Sequence, residues 1–308
     1  MHHEGSITHL VFPSRSHLLS ASEDGTLCLF RARDWSVLRA LKGHKGRVNC
    51  VAVHPTGKVA LSVGKDKALR MWDLMRGRGS ASTKLGKEGE IVRWSTDGSL
   101  FAVQTGSTID LYTTNMEILH TINHPSRLHD LRFCKRVVGD GELLLATAED
   151  KLVSVYDVSS DPQKAPKIIA TMTGHTNRVK AVQTLDIALP CLPSPSTDTS
   201  QRKATTIACT VSSDGFINVY DLAMVPASDE GQEKVDIAPV AAYDTKGTRL
   251  TCLTIADGDM VSDEAKAGEK RKEREGEEEE DESEEEGVEE WLSEQEEEEE
   301  EEEEMESD

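Results

Sequence analysis

Three residues of one stretch, His44, Ser62 and Asp66, are of the types that make a nucleophilic site. In such a site a hydroxyl attacks, an imidazole takes its proton, and a carboxylate holds the imidazole. The stretch runs from Gly43 to Asp73 and reads GHKGRVNCVAVHPTGKVALSVGKDKALRMWD. A catalytic set occurs once in a chain, whereas a structural set can recur, so uniqueness decides between the two readings. Other chemistry is less well supported. The cysteines, Cys28, Cys50, Cys134, Cys191, Cys209 and Cys252, form no Cys-x-x-Cys pair, which removes the usual zinc spacing. No G-x-G-x-x-G follows a strand pattern, and no G-x-x-x-x-G-K-[ST] occurs, so no phosphate cradle is expected.

The trio sits among short apolar runs, Arg47 to His54, Lys58 to Val63 and Ala68 to Trp72, with a turn at Lys65-Asp66-Lys67 before the third. Three strands of that length make most of one antiparallel sheet, which cannot bury both faces alone and needs neighbours of its own kind. The rest of the chain supplies them. The frame set by His44, with Arg-Val three residues on, falls again at His3, Lys87, His124, His175 and Lys246, at intervals of 41, 43, 37, 51 and 71 residues. A second anchor lies six residues before an aromatic: Asp24 before Phe30, Asp66 before Trp72, Gly106 before Tyr112, Asp150 before Tyr156 and Asp214 before Tyr220. A period near 40 with Gly-His and Trp-Asp signatures is the pattern of a WD-repeat β-propeller. The trio therefore recurs and reads as architecture. His54, His120 and His129 stand at different repeat positions. They share no ligand geometry, so neither metal nor cofactor is expected.

The anchors delimit blades at 6–41, 47–85, 90–122, 127–172 and 178–243, within a propeller domain at 1–256. Blade three is degenerate, with Lys87 for the histidine and Gly106 for the turn aspartate. Blade five carries a Pro-, Ser- and Thr-rich insert, roughly Asp186 to Ala204, expected as a surface loop. Residues 249–255, RLTCLTI, are expected as an orphan first strand of a sixth blade. Beyond 257 the sequence changes character. Of the chain's 57 acidic and 35 basic residues, 28 and 5 lie in 263–308, leaving a near-neutral 29 and 30 in the body. Such a tail cannot bury enough apolar surface to fold and is expected to be disordered. A neutral body gives no global electrostatic reason to bind nucleic acid, although direct RNA contact by a local patch stays open. No run approaches the ~20 apolar residues of a membrane span.

The stretch GHKGRVNCVAVHPTGKVALSVGKDKALRMWDL, with HHEGSITHLVF, SASEDGTLCLF and SSDGFINVYDL, is similar to one family in particular. It resembles the p21-activated kinase-interacting protein family, with its fungal relatives in large-subunit ribosome assembly, over roughly residues 2–255. The resemblance implies an all-β propeller, seven-bladed in the family. The N-terminal blades would then be absent here, through truncation or through closure as an unusual five-bladed ring, of which truncation is the expectation. It also implies that His44, Ser62, Asp66 and Trp72 form a structural tetrad, with His175, Thr210, Asp214 and Tyr220 as a second. The function implied is that of a non-catalytic scaffold in the nucleus and nucleolus. That scaffold binds the regulatory region of p21-activated kinase, negatively regulates its signalling, and joins pre-60S assembly factors in ribosome biogenesis. A ubiquitin-ligase substrate receptor or adaptor would show the same blades and is the alternative. The position three after the anchor is arginine at Arg47, Arg127, Arg178 and Arg249. A broken ring of guanidinium forks there could grip carboxylate or phosphate. Lys270, Arg271, Lys272 and Arg274 form a candidate nuclear-localisation cluster.

Overall fold

Each repeat delimited by the anchors folds as a meander of short strands, because its apolar runs are rich in Val, Leu and Ile and are separated by turns of a few residues. The computed structural model describes residues 2–188, 204–227 and 234–256. These lie in the first of two compact units, Met1–Asp257. The acidic segment and Lys270, Arg271, Lys272 and Arg274 lie outside the described residues.

The first sheet holds β1 (Ile7–Ser14), β2 (His17–Ser22), β3 (Thr26–Arg31) and β4 (Val37–Lys42); the second holds β5 (Val48–Val53), β6 (Val59–Gly64), β7 (Ala68–Asp73) and β8 (Arg78–Lys84). The third is β9 (Ile91–Trp94), β10 (Leu100–Thr105), β11 (Thr108–Thr113) and β12 (Ile118–Asn123). The fourth begins with β13 (Leu128–Lys135), β14 (Glu142–Ala148), β15 (Val153–Val158) and β16 (Lys167–Met172). The fifth has β17 (Val179–Ala188), β18 (Ala204–Ser212) and β19 (Phe216–Asp221), then β21 (Ala241–Asp244). Between β19 and β21 come a short 3-10 helix (Leu222–Met224) and β20 (Val235–Ile237). Strand β20 leaves its own repeat and adds in parallel to β16, so the fourth sheet has five strands.

The innermost strands β1, β5, β9, β13 and β17 pack on one another in sequence order. Four apolar clusters fill the spaces between successive sheets. Leu19, Leu41, Val48 and Trp72 join sheets one and two, and Leu61, Val92, Phe101 and Tyr112 join two and three. Leu111, Leu131 and Tyr156 join three and four, and Leu145, Val182 and Tyr220 join four and five. No sheet has a core of its own. Stability comes from the interfaces between neighbours, as in other stacked repeats.

The turn between second and third strands explains the recurring aspartate. Asp24, Asp66, Asp150 and Asp214 each accept the backbone N–H two residues on, which closes the turn. The next residue adopts a left-handed conformation: Gly25 (φ 86°) and Gly215 (φ 86°) without strain, Lys67 (φ 60°) and Lys151 (φ 72°) at a steric cost.

Two expectations need correction. Residues 249–255 form no strand; strand geometry is held by ladder partners, and none is paired with them. Strands β17 and β18 extend into the ends of the expected insert of blade five, with Asp186 paired to Thr206; residues 189–203, expected as a surface loop, lie outside the described residues. The five-bladed ring, the alternative to the expected truncation, is not closed among the described residues. The first and fifth sheets do not pack as neighbouring sheets do, and Ile7, Leu10 and Phe12 of β1 are exposed.

Candidate functional site

The His–Ser–Asp trio meets in space with the distances of a nucleophilic triad. His44 Nδ1 lies 2.9 Å from Asp66 Oδ2 and Nε2 lies 2.7 Å from Ser62 Oγ. The fourth member changes its meaning. Trp72 Nε1–H donates to the same Ser62 Oγ at 2.7 Å, so the hydroxyl is occupied on one side by indole and on the other by imidazole. Ser62 is fully buried, out of reach of any substrate. The arrangement is a chain of satisfied polar groups running from sheet interior to turn.

The chain recurs in altered forms. In blade five His175 Nε2 lies 2.7 Å from Thr210 Oγ1 and Nδ1 lies 3.3 Å from Asp214, while the Tyr220 hydroxyl donates to the Thr173 carbonyl at 2.7 Å. Blade one has a third set that the tetrad assignment omitted: His3 reaches Ser20 at 2.6 Å, Thr26 at 2.9 Å and Asp24 at 3.3 Å. Blade four has a weaker set, in which His124 lies 3.3 Å from Ser154, on the third strand instead of the second. Both were legible from the anchors at His3 and His124. In degenerate blade three Gln104 takes over, its amide donating to the Leu128 carbonyl of the next sheet at 3.0 Å.

Burial pushes the His44 and His175 imidazoles below their usual range, with Asp66 and Asp214 opposing. Folded, these groups bind fewer protons than unfolded once pH falls below 6.5, the ordinary histidine value, so acid favours the unfolded chain. Melting temperature is expected to fall between about pH 7.5 and about pH 5. An unchanged melt across that range would contradict the tetrad's neutral-imidazole chain.

The four candidate arginines share a rim but not a state. Arg47 Nη1 pairs with Glu23 Oε1 of the preceding blade at 2.9 Å, and Arg127 Nη2 pairs with Glu90 Oε1 at 3.0 Å. Arg178 lies 3.9 Å from Glu149. Arg249 is exposed and contributes its charge to the surroundings of Lys180. Much of the predicted ring is thus a series of inter-blade ion pairs. The Arg47–Glu23 pair is about half exposed on both sides, so Arg47→Ala is expected to cost no more than ~1 kcal/mol in a urea titration.

A second polar constellation lines the innermost strands. Arg93 of β9 donates to Cys50 Sγ of β5 at 3.0 Å, to Asp130 Oδ1 of β13 at 3.1 Å and to the Leu131 carbonyl at 3.2 Å. Asp130 Oδ2 accepts the Val182 N–H of β17 at 3.2 Å. One guanidinium therefore joins blades two, three and four, and the Asp130 carboxylate carries the network on to blade five. Burial pushes the Cys50 thiol up, but Arg93 and His9 of β1 outweigh it and bring it down to about 6. Register gives the signal that would have found this site. Arg93 pairs with Ala102, four residues before its turn residue; the same place is filled by Leu10, Val51, Leu131 and Val182 in the other repeats. One arginine in a column of aliphatic residues marks a special position. Among the described residues no group of three or more His, Cys, Asp or Glu could hold a metal ion.

The family model described as WD domain, G-beta repeat matches residues 1–31 and 35–73. A p21-activated protein kinase-interacting protein 1-like protein of Danio rerio is 33% identical over 256 residues, 83% of this chain and 61% of the relative. Protein MAK11 of Saccharomyces cerevisiae is 29% identical over 83% of this chain and 64% of its own length. Shk1 kinase-binding protein 15 of Schizosaccharomyces pombe is 30% identical over 56% of this chain and 48% of its own. The chain spans about three-fifths of the length of the first two of these relatives.

Proposed function

We propose that this chain, a WD40-repeat protein homologous to the p21-activated protein kinase-interacting proteins, MAK11 and Shk1 kinase-binding protein 15, is a non-catalytic scaffold. It binds the regulatory region of p21-activated kinase and restrains its signalling, and it acts with pre-60S factors in nucleolar maturation of the large ribosomal subunit. The observation that carries the non-catalytic reading is the recurrence of the His–Ser–Asp set, with Ser62 buried and already bonded to Trp72. A fold that repeats its buried polar network in several blades uses those groups for rigidity, and rigidity is what a display scaffold requires. The kinase side of the reading rests on the names of two relatives. The ribosomal side, with nuclear and nucleolar residence, rests on the sequence resemblance.

Affinity purification of the tagged full chain tests the reading. Recovery of p21-activated kinase, of pre-60S proteins, or of both is the expected result. Recovery of ubiquitin-ligase subunits in their place would replace it with the adaptor alternative.

A further inference from the structure

The rim of blades four and five gathers several cations around few carboxylates. Arg47 meets Glu23 one to one. Between blades four and five, by contrast, Arg127, Arg178, Lys180 and Arg249 converge on the neighbourhood of His129 and Glu149. Lys180 Nζ donates to His129 Nε2 at 3.2 Å, and Glu149 Oε1 lies 3.7 Å from His129 and 3.9 Å from Arg178. The carboxylate of Glu90 engages Arg127. Burial lowers the Lys180 ammonium, and Arg178 and Arg249 lower it further against Glu149; burial and Lys180 likewise hold His129 down. Four cations meet two carboxylates, Glu90 and Glu149, there, and an incoming anion would offset the excess.

We infer that this rim binds a carboxylate-rich peptide segment, with Arg178, Lys180 and Arg249 as its anion contacts and Arg127 at the edge. The inference deepens the scaffold reading by giving its docking surface a place and a partner chemistry, and it rests on that reading only for its biological setting. The guanidinium forks suit carboxylate pairs. A peptide fits better than nucleic acid because the cations occupy two neighbouring blades on a near-neutral body, without the long positive track that a polynucleotide follows.

The test is fluorescence polarisation of a labelled peptide of about ten glutamates against the full chain, titrated at about 50 mM and about 300 mM salt. The expected result is binding that weakens with salt, falls at least about ten-fold in the Arg178→Glu/Lys180→Glu/Arg249→Glu variant, and changes less than about two-fold in Arg47→Glu. The milder Lys180→Gln, with an unaltered melting temperature, serves if the triple variant misfolds and should weaken binding by about three-fold. No binding by the wild type, or equal losses in Arg47→Glu and the rim variants, would overturn the inference. Tighter capture of a single-stranded uridine oligomer than of the peptide would overturn the peptide assignment in favour of RNA. The assay contains neither kinase nor ribosomal protein, so its failure is separable from failure of the affinity purification.

Discussion

Replacing Trp72 with alanine is expected to destabilise the chain by about 3–5 kcal/mol, a large fraction of what a folded domain has to lose. Two effects add. The indole is buried between the first and second sheets against Leu19, Leu41 and Val48, so its removal leaves a cavity at an interface where the sheets hold each other. Its N–H also donates to Ser62 Oγ, so the hydroxyl loses one of its two partners. Trp72→Phe separates the terms: it keeps most of the apolar volume, loses the donor, and should cost closer to ~1–2 kcal/mol. Urea midpoints of the two variants measure the difference. No loss in Trp72→Phe would mean that the hydrogen-bonded chain contributes nothing beyond packing.

Arg93→Met is expected to cost a similar ~3–5 kcal/mol, for an electrostatic reason. The substitution keeps a long apolar side chain but leaves Asp130, itself 7% exposed, without its guanidinium partner. The backbone N–H groups of Leu131 and Val182 still reach that carboxylate, and they cannot neutralise it. The double variant Arg93→Met/Asp130→Asn removes both charges and should recover much of the loss, a coupling that a double-mutant cycle reads directly. Cys50 gives an independent signature. Its thiol, held near 6, should move back up when Arg93 is lost, visible as reduced thiolate absorbance at neutral pH. The sign for stability follows. A thiol with a depressed folded value adds stability above its unfolded value of 9.0, and that stability is lost as pH falls through about 6. Acid therefore weakens both the tetrads and the Arg93–Cys50 cluster.

The blades were legible because two anchors recur in one register. The expected first blade, 6–41, is observed as Ile7–Lys42, and the second, 47–85, as Val48–Lys84. A repeat makes each unit evidence for the next, which single-strand propensities cannot do. Strand β20 was not legible. VDI is three residues long and owes its strand geometry to the edge of β16, a partner in another repeat. The expected strand at 249–255 failed for the converse reason, having apolar alternation without a ladder. The tetrads were visible in composition, but the detail that supports a structural role, Trp72 donating to the serine that His44 also holds, required coordinates. The Arg93 site was legible only as an irregularity. Cys50, Arg93 and Asp130 belong to three repeats and form no motif along the chain, and they meet because successive innermost strands pack side by side.

The central claim is that His44, Ser62 and Asp66 form architecture and not a reacting site. Exposure of the native chain to a fluorophosphonate, which labels activated serines, tests it most directly when paired with the melting temperature of Ser62→Ala. The account predicts no adduct on Ser62 by peptide mass spectrometry and a clear drop in melting temperature for the variant. Stoichiometric labelling of Ser62, with Ser62→Ala melting like the wild type, would contradict it.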